Sequence, residues 1–124
     1  MSARRLSQLQ WFGFLAGGIV WLGEFLAGTG ASQARCNPGS GRWGLPHDAI
    51  ELALMLFGVL VVGSALAASA VVFRQTRGID DQDPPPDGRL HFFATASLVG
   101  NVVFLVIILL TGIATIVNQA CHQA

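Results

Sequence analysis

The sequence predicts an all-α membrane protein with three transmembrane helices, its N-terminus cytoplasmic and its C-terminus periplasmic. Three observations carry this. Of 124 residues, 52% are hydrophobic and only 11% charged, against about 25% charged in soluble domains. Three long apolar runs are separated by polar, glycine- or proline-rich stretches, and each is long enough for the roughly 20 residues that cross a bilayer core. The arginines cluster on alternate connections. There is no lysine or tyrosine, and the formal net charge is zero, so nothing in the composition points to a nucleic-acid partner. Residues 1–124 read as one membrane domain, with no room for an aqueous one.

A short polar lead carries Arg4 and Arg5. The first span is expected at about 9–28. The apolar run Trp11–Ala27, with small residues at Ala31–Ala34, fits a secretory signal peptide nearly as well. The run's length, Glu24 and its several glycines favour a retained span. Gly13 and Gly17 form a GxxxG, which lets a second backbone approach closely. Gly17, Trp21, Glu24 and Gly28 continue the same helical stripe. The plain alternative is that glycine is simply frequent in membrane helices.

Residues 29–48 read as an outer loop, rich in Gly, Ser, Asn and Pro. Trp43 suits a headgroup-level anchor. Asp48 and Glu51 have capping-box spacing, with Asp48 as N-cap of a second span at about 49–73. There Gly63, Ala67 and Ala70, flanked by Ser64 and Ala68, offer a small-residue face.

Residues 74–90 form the most polar stretch and read as a solvated cytoplasmic loop. Its three consecutive prolines favour an extended conformation, and Asp87 suits the cap of the third helix. The third span is expected at about 91–117, within a run from Leu90 to Val117 that has no proline and no charge after His91. It carries Ser97, Asn101, Thr111 and Thr115 at helical spacing, with Phe104 and Ile108 between them. A polar stripe in a membrane helix should face protein rather than lipid. That protein is either the glycine face of the first span or a neighbouring subunit.

Arg4, Arg5, Arg74, Arg77 and Arg89 fall on one side, Arg35 and Arg42 on the other. The positive-inside rule places the larger group in the cytoplasm. Cys36 and Cys121, the only two cysteines, then share the outer side. In an oxidising periplasm they would pair and close a long loop. Two free thiols, or one lipid-attached cysteine, are the alternatives. Neither cysteine has a CxxC or haem-attachment setting.

Glu24 and Glu51 are the acids nearest membrane depth, and His47 lies four residues from Glu51. An ionisable group in a span is a functional candidate, so Glu24, His47 and Glu51 form a candidate proton or quinone-headgroup site. The plain reading has Glu51 completing the capping box and Glu24 bonded to a partner or reaching for the interface. His91 lies at the opposite end from His47 and His122, so no bis-histidine haem site fits. His47, His122 and Cys121 make only a weak metal set by spacing. No Ser/His/Asp set, phosphate-binding loop or HExxH is present, so no catalytic, cofactor or metal residues are assigned.

Gly13-Phe-Leu-Ala-Gly17-Gly-Ile-Val-Trp21 followed by Cys36, and Gly88-Arg89-Leu-His-Phe-Phe followed by Asn101 and Cys121, resemble the two ends of a family of small three- or four-span proteins. These are encoded beside bacterial haem–copper cytochrome c oxidases and related respiratory complexes. The resemblance covers both ends and leaves the middle open. Glu24 departs from it, standing where an apolar or aromatic residue is expected. It implies a non-catalytic accessory subunit of a respiratory electron-transport complex in the bacterial inner membrane. Such a subunit has no redox centre of its own, contacts larger membrane subunits and holds phospholipid. Two other functions remain open on the residues. One is a proton-conducting or small transport protein using Glu24 and Glu51, with Asn101 in the path. The other is a quinone- or pigment-contacting subunit using Trp11, Trp21 and Trp43.

Overall fold

The computed structural model describes residues 1–36, 46–118 and 121. The Trp43 anchor, Arg42 and His122 lie outside the described residues. Three helices account for nearly all of what is described: α1 (Ala3–Cys36), α2 (His47–Gln75) and α3 (Asp87–Val117). All three are long and apolar enough to cross a membrane. They pack as one antiparallel bundle, so the starts of α1 and α3 meet the end of α2.

α1 is longer than the span read from the sequence. Its 34 residues extend about 50 Å at 1.5 Å per residue, well beyond a hydrocarbon core of about 30 Å. The stretch 29–36, expected as loop, is helical. Its Gly, Thr and Ser residues look like breakers, but Gly28 seats a side chain from α2 and Ser32 bonds to one.

Neither expected aspartate cap forms. α2 begins at His47 after Pro46, and α3 at Asp87 after Pro86, with no side-chain cap bond at either. Starting two residues early turns Asp48 outward, where it lies 3.9 Å from Arg35. It also turns Glu51 inward. The connector is not extended: Asp80 and Asp83 fold it into turns, Asp83 Oδ2 accepting from the Asp80 N–H at 2.9 Å and Asp80 Oδ1 from the Gln82 N–H at 3.1 Å. Thr76 and His91 then tie the end of α2 to the start of α3 through Oγ1 and Nδ1 at 3.0 Å, with Phe73 stacked on the His91 ring.

The buried face of α2 is Gly58, Val62, Ala65, Ala68, Ser69 and Val72. The face expected from Gly63, Ala67 and Ala70 is not the one that the bundle buries. Ala67 is exposed, Ala70 is half-buried, and a Cβ built at Gly63 would meet nothing within 4 Å. Small residues occur on both sides of α2. The side that packs is the one whose Ser69 meets Asn101 and whose Gly58 receives Glu24. The bundle's large apolar side chains point outward, among them Ile19, Leu60, Val99 and Leu110, the arrangement expected where lipid is the solvent.

Candidate functional site

One polar junction lies mid-bundle. Asn101, 2% exposed, donates from Nδ2 to the Gly13 carbonyl at 2.7 Å and to Ser69 Oγ at 3.4 Å, touching all three helices. Ser69 itself donates to Ala65 O at 2.9 Å. Gly17 lies against the Asn101 amide and the Phe104 ring, and Gly13 against Ser69. Asn101 thus seats on the glycine face of α1. Ser97 is buried one turn before it and bonds to its own helix at Phe93 O, 2.6 Å away. Farther along α3 the buried line runs Ile108–Gly112. Thr111 is exposed, and Gly112 takes the inward position, filled by Met55. Thr115 is half-buried beside it.

A second polar group gathers nearer the other end. Glu24 of α1 lies over Gly58 of α2, and Glu51 of α2 lies over Gly28 of α1, its Oε1 at 3.0 Å from where a Cβ would sit. Each helix offers a glycine to the other's carboxyl group. Thr115 of α3 donates to Glu51 Oε2 at 3.4 Å and to the carbonyls of Thr111 and Gly112. His47, 3% exposed, shares a 2.9 Å hydrogen bond with Ser32 Oγ through Nε2. The same nitrogen is 3.7 Å from Glu51 Oε1, beyond hydrogen-bond range. His47 Nδ1 is 3.5 Å from Asp48 Oδ1. The bundle therefore brings His47 beside Glu51, and brings Glu24 and Glu51 to one cavity.

That cavity, about 360 Å³, is lined by both carboxyl groups, by the hydroxyls of Thr29, Ser32, Thr111 and Thr115, and by Trp21, Phe25, Leu54, Met55 and Ile108. Three buried polar atoms have no hydrogen-bond partner among the described residues: Glu24 Oε1, Glu51 Oε1 and His47 Nδ1. Buried polar groups are nearly always satisfied, so this concentration marks the place where the bundle expects something else. Glu24 lies seven residues, about 10 Å of helix rise, from Gly17 and the Asn101 junction. Val62, Ala65 and Ile108 are buried in the core. Asn101 is engaged in the junction and does not join the acid pair.

Cys36 and Cys121 meet at disulfide distance, Cα–Cα 5.3 Å across a separation of 85 residues. They tie the end of α1 to the end of α3 near the acid cavity. Cys121 is thereby removed from the weak metal set with His47. Among the described residues no three His, Cys, Asp or Glu side chains gather to hold a metal.

Sequence spacing grouped Glu24, His47 and Glu51 but missed Ser32 and Thr115, which hold His47 and Glu51. Ser32 was hidden because its segment reads as loop. The signal for Thr115 was its place three residues beyond Gly112, on the stripe already recognised. Comparison of the chain with protein-family models, with curated proteins and with solved structures finds no match.

Proposed function

We propose that this protein is a non-catalytic accessory subunit of a respiratory or other electron-transfer complex in the bacterial inner membrane, where it packs against larger subunits and holds lipid. The observation that carries the reading is the unused small-residue face of α2. Gly63 has an open Cβ position, Ser64 and Ala67 are exposed beside it, and Ser64 satisfies its hydroxyl on its own helix at Val61 O, 2.7 Å away. Small residues on a membrane helix let another helix approach closely, and the three-helix bundle does not consume this face. The resemblance of both ends to small oxidase-associated proteins supports the same reading.

A photo-crosslinking residue at Ala67 tests it. The expected product joins this chain to a larger membrane subunit and carries haem absorbance. The same probe at Leu110, on an apolar face, labels lipid. Gly63→Leu is expected to abolish the Ala67 crosslink while leaving the isolated bundle's melting temperature unchanged. Labelling of lipid alone from Ala67 contradicts the proposal.

A second reading, a proton- or ligand-handling membrane protein, is favoured by the unpartnered carboxyl oxygens of Glu24 and Glu51. Glu24→Gln separates the two: loss of proton movement with the complex intact and still transferring electrons favours the second.

A further inference from the structure

The acid cavity has a chemistry that packing alone does not explain. Among the described residues it is lined by two carboxyl groups and no arginine or histidine. An ionised carboxylate is an acceptor only, and a buried one is costly unless paired. The nearest basic group among the described residues, His47, has its Nε2 engaged with Ser32 and stands 3.7 Å from Glu51 Oε1. Asp48 and Arg35 form their own weak pair on the surface. Among the described residues, none supplies this cavity with a compact cationic donor.

The rest of the site says what carries that donor. Trp21 and Phe25 stack with centroids 6.2 Å apart and present aromatic surface at the wall, which attracts cations. Phe25 and Gln33 on α1 and Thr111 on α3 are exposed, so the cavity opens sideways between those helices rather than along the bundle axis. About one helical turn further on, along the same α1–α3 seam, lies a second cavity of about 410 Å³ lined by Phe14, Gly18, Leu22, Gly100 and Phe104. Its walls are mainly apolar. The two are adjacent at Trp21 and Phe104, whose centroids are 6.0 Å apart. An acidic pocket near one end of the bundle thus leads into an apolar groove running toward the middle, which is how a lipid in one leaflet disposes its headgroup and chain.

We infer that this seam binds an ethanolamine-type phospholipid, its primary ammonium received by Glu51 and Glu24 and an acyl chain laid along the groove. A primary ammonium supplies three donors for the unpartnered acceptors. A choline headgroup supplies none. The inference rests on the chain lying in a bilayer and gives chemical identity to the lipid it holds. It does not depend on the partner subunit, so either can fail alone.

The test uses the full chain in nanodiscs made from equal amounts of phosphatidylethanolamine and phosphatidylcholine, followed by native mass spectrometry of lipid that stays bound. Retained lipid should favour ethanolamine about tenfold, the selectivity one charge-assisted hydrogen bond supplies. Glu51→Gln should erase that preference, while Asp80→Asn in the connector should keep it. A monodisperse elution profile and protected cysteines check the fold of each variant. Thr115→Val, which frees Glu51 Oε2 without removing charge, should keep the preference. Equal retention of the two lipids by the wild-type chain overturns the proposal whether or not any variant folds. So does a preference that survives in folded Glu51→Gln. Tight binding of dodecylamine without discrimination between the phospholipids overturns the lipid assignment in favour of a free amine.

Discussion

Gly13→Leu should destabilise the bundle by about 2–3 kcal/mol, the upper part of the range for overpacking a close contact. A side chain at residue 13 falls on Ser69 Oγ, with the Ala65 carbonyl 3.3 Å away. Ser69 cannot simply rotate clear, because it donates to Ala65 O and accepts from Asn101. The leucine must therefore push α1 away from α2, and Asn101 then loses its 2.7 Å bond to the Gly13 carbonyl. Hydrogen bonds between membrane helices average about 0.6 kcal/mol and reach about 1.7, so this loss adds to the steric one. Leucine is favoured over glycine in a helix by up to about 1 kcal/mol, which offsets part of the cost. Gly23→Leu isolates that offset, because residue 23 faces open space; it should be neutral or mildly stabilising. Thermal unfolding of the two variants in detergent measures the contrast. Equal behaviour would mean that α1 does not seat on the Ser69–Asn101 junction.

Loss of the Cys36–Cys121 bridge should be the other large effect. It closes a separation of 85 residues, for which loop-closure entropy gives about 4–5 kcal/mol in a free chain. Inside a bilayer the inserted helices are already confined, so about 2–3 kcal/mol is expected there, within the usual range for native bridges. Cys36→Ser should lower the melting temperature and loosen the cavity end first, since α1 and α3 are tied there and nowhere else covalently. Alkylation without reductant should find no free thiol in the wild-type chain, and two after reduction. Two alkylatable thiols in native membranes would remove the bridge from the account.

The three helices were legible because hydropathy is a property of each segment alone. So was the Ser97–Asn101 seam, since a polar stripe in lipid has nowhere to go but inward. The packing register of α2 was not. Gly63–Ala67–Ala70 and Gly58–Ala65–Ser69 are equally small, and only the partner side chains decide between them. Glu24 needs a glycine at its own depth, and Asn101 needs a hydroxyl. The end of α1 was misread for a related reason. Thr29, Gly30 and Ser32 have turn-forming preferences, which are weak beside contacts made across helices. Ser32 finds His47, and Gly28 admits Glu51. The capping box failed because Glu51 had a stronger claim inside the bundle, beside Thr115. Of the group Glu24, His47 and Glu51, the bundle brings the two carboxyl groups to one cavity at different depths, Glu24 over Gly58 and Glu51 over Gly28, while His47 lies farther toward the helix ends beside Ser32.

The accessory-subunit reading is tested most directly by what stays with this chain when its native membranes are extracted in mild detergent. The account predicts stoichiometric co-elution, on size exclusion, with larger subunits whose optical spectrum shows haem, and release of this chain alone by Gly63→Leu. Elution of the wild-type chain as a free monomer, with no haem-bearing partner, would contradict it.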